Sequence, residues 1–281
     1  MTPRIIAYHQ SHGHGETFVP LETIGTPEAP LTHLIIAAVH LTDDGLVTLN
    51  DHPHDDPHHD QLWRAVAGVQ SRGVPVMAMV GGWAPGTTEK LTGEQFDRFY
   101  PLLRDALRAH RLDGVDVDVE QDMALDDVIR IIDALRADFG PDFIIALAPV
   151  QTALVGGKNL SGFDYDELER RRGAVIDFHL VQFYSGFASA DDANAYRAII
   201  ERAATGAGAF TPDRVLLGQI GEPADASFIP LEPVAETVRR LVTEFPDFGG
   251  VDIWEFPIVD GRRDIGGWAR LMRDALRGAD A

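Results

Sequence analysis

Residues 113 to 120 read Asp113-Gly114-Val115-Asp116-Val117-Asp118-Val119-Glu120. Three carboxylates, Asp116, Asp118 and Glu120, alternate with three valines. Side chains on a strand point to opposite faces with period two, so the acids share one face and the valines the other. Valine alternation is strand chemistry, because β-branched residues fit a pleated, packed surface. Like charges stacked on one face repel, and burying them unpaired costs several kcal/mol. A strand that keeps three carboxylates in line is therefore read as one that uses them.

Outward from this stretch, short β-branched runs recur at 4–8, 33–40, 74–80, 114–120, 143–148, 178–184, 215–220 and 250–256. Between them lie amphipathic stretches at 61–72, 94–110, 126–139, 166–172, 190–204, 230–244 and 267–277, with charges opposite the Leu, Ile, Val and Ala positions. The first connection, residues 9–32, is rich in Gly and Pro and shows no clear helix. Strands alternating with helices imply a parallel sheet, because parallel neighbours need a crossover. Eight units in about 250 residues is the count of a (β/α)8 TIM barrel; a doubly wound open sheet is the competitor. No linker or low-complexity segment interrupts the chain, so residues 1–281 are expected to form a single catalytic domain. In a barrel, function sits at the C-terminal ends of the strands. That places Tyr8, His40, Gly81, Gly82, Trp83, Glu120, Pro149, Tyr184, Gly221 and Trp254 around one rim.

Bulk properties narrow the function. The chain is 45% hydrophobic and 24% charged, a globular composition. A net charge of −20 repels phosphate backbones, so no nucleic-acid partner is expected. No run approaches the roughly 18 apolar residues of a membrane span. There is no cysteine, which excludes disulfides and leaves the redox compartment open. Met1-Thr2-Pro3-Arg4 leads straight into an apolar run without the pattern of a signal peptide. The chain thus reads as cytoplasmic, or as exported with its leader already removed. It is expected to be a monomer.

Same-face acids on a strand are about 7 Å apart at Cα, and long side chains close that gap. Two carboxyls that close cannot both ionise easily, so one holds its proton. A held proton is what a general acid needs. Glu120, nearest the rim, is the candidate acid, with Asp118 supporting it and Asp116 sharing a proton from below. The alternatives are a magnesium or calcium site, given the nearby Asp122 and Asp126, and a purely structural carboxylate ladder.

The octapeptide fits the signature Asp-Gly-x-Asp-x-Asp-x-Glu at every position. It resembles glycoside hydrolase family 18, which contains chitinases and endo-β-N-acetylglucosaminidases. Ala78-Met79-Val80-Gly81-Gly82, Gln182-Phe183-Tyr184 and Gly249-Gly250-Val251-Asp252-Ile253-Trp254 resemble the family's segments on its third, sixth and eighth strands. Tyr8-His9-Gln10, Leu147-Ala148-Pro149-Val150 and Leu160-Ser161-Gly162-Phe163 are similar to segments of single-domain fungal endo-β-N-acetylglucosaminidases. The resemblance implies a retaining mechanism in which the sugar's own 2-acetamido oxygen is the nucleophile, an exception to the two-carboxylate scheme. It implies Glu120 as acid and then base, Asp118 as support for the acetamido group, and Asp116 as partner of Asp118. It further implies that Tyr184 hydrogen-bonds the acetamido oxygen, with Gln182 beside it and Trp254 as the apolar floor. The implied substrate is an N-acetylglucosamine-containing glycan or glycoprotein, with the N-glycan core preferred and chitin second. No cofactor is implied. Met79 stands where the family usually has serine, and Ser185 where many chitinases have aspartate. A sugar-binding barrel without activity is a further alternative, though such proteins usually lack the glutamate or its partners.

Other residues are weighed beside these. Tyr8, Gly81, Gly82 and Trp83 are expected to border the substrate, and His9 and Gln10 are possible contacts. Trp83 either stacks on a sugar or packs under a loop. Trp63 and Trp268 read as core, and His12 and His14 as facing water. The His/Asp stretch 51–60 reads as a solvated loop with metal binding as the lesser alternative, because its spacing is irregular and its prolines oppose a helix. Val155-Gly156-Gly157-Lys158 lacks phosphate-loop spacing and is expected to turn beside the cleft.

Overall fold

A computed structural model describes residues 2–14, 17–259 and 262–278. Eight parallel strands close on themselves: β1 (Arg4–His9), β2 (His33–Leu41), β3 (Val76–Gly81), β4 (Gly114–Asp118), β5 (Ile144–Leu147), β6 (Phe178–Gln182), β7 (Val215–Ile220) and β8 (Gly250–Trp254). Each pairs with the next, and β8 returns to β1 with Arg4 beside Gly250. Closure removes both sheet edges, which excludes the open doubly wound alternative. Among the described residues seven α-helices cover the outside: α1 (Asp60–Ser71), α2 (Phe96–Ala109), α3 (Leu125–Phe139), α4 (Tyr165–Arg172), α5 (Ala193–Ala204), α6 (Leu231–Glu244) and α7 (Gly266–Leu276). The described residues of the connection from β1 to β2 form no helix; the short strands Gly13–His14 and Thr17–Phe18 pair within it. None of the described helices is long and apolar enough to cross a membrane.

Strand alternation divides the core in two. Val115, Val117, Val181, Val251 and Ile253 join the layer between barrel and helices. Ile6, Tyr8, Met77, Met79, Phe178, Leu180 and Leu216 fill the inside of the barrel. Asp116 and Asp118 alternate with the outward valines and so point inward, where both are buried.

The strand expected over 114–120 stops at Asp118. Its neighbours end at Gly81 and Leu147, so residues 119 and 120 have no ladder to join. The alternation still persists beyond the strand. Val119 is buried outward and its carbonyl accepts from Ser161 Oγ at 2.6 Å, which leaves Glu120 on the inner side.

The stretch 51–60 also differs from a solvated loop. His52–Pro53 pairs with Val47–Leu49 as an antiparallel extension of β2, and Asp60 begins α1. His59 is buried, and its ring contacts those of His12, His52 and His58. Among the described residues no group of three His, Asp or Glu side chains is disposed to hold a metal ion.

Candidate active site

At the C-terminal mouth of the barrel lies a cavity of about 470 Å³. Tyr8, Asp118, Glu120, Gln182, Tyr184 and Trp254 line its base, and Trp83, Lys158, Phe187 and Asp225 lie around them. Seven strands or their ends thus deliver side chains to one place.

The three acids form a column. Asp116, fully buried, accepts from Tyr8 Oη at 2.8 Å through Oδ2, while its Oδ1 has no partner. The carboxyls of Asp118 and Glu120 share a hydrogen bond. The Gln182 amide nitrogen lies 3.1 Å from Glu120 Oε1, 3.5 Å from Asp118 Oδ1 and 3.0 Å from the Ala148 carbonyl. It therefore ties the upper acids to the end of β5.

Main-chain contacts hold Asp118 from the other side. Gly82 N donates to the Asp118 carbonyl at 2.9 Å. Gly81, at φ +104°, passes so close that a Cβ there would sit 2.2 Å from that same oxygen. Only glycine tolerates both the conformation and the approach. Both glycines thus contact Asp118 at the edge of the cavity. Met79 lies beneath Gly82, its Cε 2.5 Å from where a Cβ would be.

Burial, first of all, sets the electrostatics of the three acids. Burial raises Asp116 to about 7, with the Glu120 charge adding to the shift and the Tyr8 hydrogen bond opposing it. Asp118 is raised well above the ordinary carboxylate range by burial, then by the charges of Glu120 and Asp116. Glu120 is raised by burial and pulled back by its hydrogen bonds to Gln182 and Asp118. Three acids that hold protons this tightly keep at least one in the column near neutral pH. Tyr184 is raised far above the usual phenol range by burial and by four nearby carboxyls, and stays neutral.

Trp254 forms the floor and meets Tyr8 edge-on, ring centroids 5.2 Å apart. Tyr8 lines the cavity, yet its hydroxyl is spent on Asp116. Trp83 is 77% exposed on the rim, which excludes packing under a loop. Lys158 borders the cleft, over the Phe187 ring at 5.1 Å. Ser185 adopts φ +56° and donates its N–H to Ser227 Oγ.

Several expectations need correction. His9 is not at the mouth: it is fully buried and stacks on Phe256 at 4.6 Å. The period-two rule already puts His9 opposite Tyr8, hence in the outer layer. Gln10 lies in a neighbouring basin with His12, His40, His52, His58 and His59. His12 is half-buried rather than facing water; its Nε2 meets the His9 carbonyl at 3.1 Å, and burial lowers it to about 4. The His14 side chain lies outside the described residues. Trp268 is core, as expected, and Trp63, half-buried, packs against the core and stacks on His110 at 3.7 Å.

Sequence reasoning missed two acids. Glu255 accepts from the backbone of Gln10 and Ser11 and pairs with Arg263 at 2.8 Å, fixing the loop after β1. Asp252 points into the barrel below the cavity.

With this geometry in view, the comparisons with known proteins are specific. The model of "Glycosyl hydrolases family 18" matches residues 4–211. A fungal endo-β-N-acetylglucosaminidase of that family is 40% identical, with TM-score 0.91 over 98% of each chain. Chitinase ChiC from Aspergillus fumigatus is also 40% identical, with TM-score 0.86 over 97% of this chain and 99% of its own. A chitinase from Pseudoalteromonas aurantia shares the fold at 22% identity and TM-score 0.76. No curated protein matches the chain.

Proposed function

We propose that this chain, which belongs to glycoside hydrolase family 18, cleaves β-1,4 bonds between N-acetylglucosamine units with retention, acting on the chitobiose core of N-glycans. The observation that carries the reading is the column of Asp116, Asp118 and Glu120 bridged by Gln182 above Trp254. Glu120, at the mouth and raised by burial, gives its proton to the leaving oxygen. The 2-acetamido carbonyl oxygen attacks the anomeric carbon as the bond to that oxygen breaks, and an oxazolinium intermediate forms. Asp118, ionised at that moment, supports the positive charge on the acetamido group; Tyr184 donates its hydroxyl to the acetamido oxygen. Glu120 then takes a proton from water, which opens the intermediate from the face the leaving group left. Trp254 offers its ring to the apolar face of the sugar, and Trp83 stands where a further sugar would lie.

The resemblance to a fungal endo-β-N-acetylglucosaminidase, together with Ser185 in place of a chitinase aspartate, supports the N-glycan core. The chitinase reading is favoured by one specific observation, the equal 40% identity to chitinase ChiC. Incubation with a high-mannose glycoprotein and, separately, with chitin oligomers tests the choice. A gel shift of the glycoprotein with intact oligomers is expected. Soluble chitin fragments with an unshifted glycoprotein would assign the protein to chitin instead.

A further inference from the structure

The barrel holds a fourth carboxyl that the mechanism above does not use. β8 reads Gly250-Val251-Asp252-Ile253-Trp254 and repeats the Gly-Val-Asp opening of β4. Val251 and Ile253 pack outward, and Asp252 turns in, level with Ile6 of β1 and Gly218 of β7. Asp252 is 2% exposed, and among the described residues its Oδ2 has no hydrogen-bond partner. Asp116 Oδ1, also enclosed, has none either. Gly218 makes the space: a Cβ there would lie 2.9 and 3.2 Å from the two Asp252 oxygens. The titratable groups recorded around Asp252 among the described residues are Asp116 of β4, Tyr8 of β1 and Tyr184 beyond β6, and none of these is a cation. An ionised carboxylate buried without a partner is strongly unfavourable, so such a group keeps its proton.

The geometry points to Asp252 as a positioning residue for the reaction: a neutral carboxylic acid that offers its proton, through one buried water, to the free oxygen of Asp116. This rests on the hydrolytic reading above. Tyr8 then donates to one oxygen of Asp116 and Asp252, through the water, to the other. Two donors favour the ionised form of Asp116. The proton shared by the column is thereby displaced upward, toward Asp118 and Glu120, where the leaving oxygen takes it. Burial raises Asp252 well above the ordinary carboxylate range, and the charge of Asp116 adds to this.

Two measurements test the assignment. In infrared difference spectra of the protein against Asp252→Asn at about pH 6, well above an ordinary carboxylate, the C=O stretch of a protonated carboxylic acid is expected and should be missing from the variant. That readout needs no activity, so it stands or falls apart from the hydrolytic reading. A difference made only of carboxylate bands overturns the proposal. In pH profiles of kcat/KM, Asp252→Leu is expected to move the acidic limb up by on the order of one pH unit, because a carboxyl pair that has lost a donor gives up its first proton later. Asp252→Asn keeps a donor, and its acidic limb is expected to stay in place. A purely structural Asp252 would lower the rate evenly at every pH. An unmoved limb in the Leu variant overturns the proposal. So does a limb that moves down in the Asn variant, which would mean that a negative charge had been removed. If the Leu variant fails to fold, the infrared comparison and the Asn limb still decide.

Discussion

Tyr8→Phe removes one hydroxyl and changes how the column holds its protons. Tyr8 Oη donates to Asp116 Oδ2 at 2.8 Å, and no other hydrogen bond to the Asp116 carboxyl occurs among the described residues. Asp116 is already raised to about 7 by burial, against the pull of this bond. A hydrogen bond to a charged group contributes about 1.5–3 kcal/mol. One pKa unit corresponds to 1.36 kcal/mol, so losing the bond raises Asp116 by about 1–2 units. The phenylalanine ring keeps the edge-on contact with Trp254, so the floor of the cavity stays in place. The acidic limb of kcat/KM reflects the first proton lost by the Asp116–Asp118 pair. It is expected to move up by about one pH unit, while the alkaline limb, set by the proton on Glu120, moves less. A fluorescently labelled high-mannose N-glycan assayed across the pH range reads both limbs. An unmoved acidic limb with an even loss of rate at all pH values would refute the reasoning and reduce Tyr8 to packing.

Other perturbations separate the remaining roles. Glu120→Gln is expected to lower kcat by at least the 10²–10⁴-fold that general acid–base groups typically contribute, with oligosaccharide binding retained by calorimetry; near-full turnover would remove Glu120 from the reaction. Asp118→Asn is expected to lower kcat by about 10²–10³-fold, since the acetamido nucleophile loses its electrostatic support; an unchanged kcat would point to another nucleophile. Gly81→Ala brings a Cβ to 2.2 Å from the Asp118 carbonyl at φ +104°, so a loss of about 1–3 kcal/mol or more in denaturant unfolding is expected, together with lost activity. His179 is buried with its Nε2 3.7 Å from Glu169 Oε2, and burial, then the Arg214 charge, lower it to about 3. Its neutral form stabilises the fold above the unfolded value of about 6.5, and that contribution is lost as pH falls from there toward 3. The Tm of His179→Leu relative to the natural chain should therefore rise as pH falls through this window; a constant difference would mean that His179 does not titrate with unfolding.

The alternation in residues 113–120 suffices to put Asp116, Asp118 and Glu120 on one face, because period two survives even where the strand itself ends. Eight β-branched runs suffice for the barrel, since parallel neighbours leave few topologies. Residues outside the strands are less legible. The loop 51–60 becomes sheet and helix through pairing with Val47–Leu49, a contact that composition does not encode. His9 looks like a mouth residue by its place in the chain, and only its parity relative to Tyr8 sends it into the outer layer. Asp252 carries a readable signal, the second Gly-Val-Asp, but a single acid in a strand suggests little until its distance from Asp116 in sequence is removed by folding. Gln182 is legible as a neighbour of Tyr184; its bridge between Glu120 and Asp118 depends on how far β6 stands from β4, which no local pattern contains.

The most direct test of substrate-assisted retention is proton NMR of the first product formed from a free N-glycan, recorded before the reducing end mutarotates. The β-anomer is expected to appear first, with no signal from Glu120→Gln. A product that appears first as the α-anomer would contradict retention, and with it the role given to Asp118.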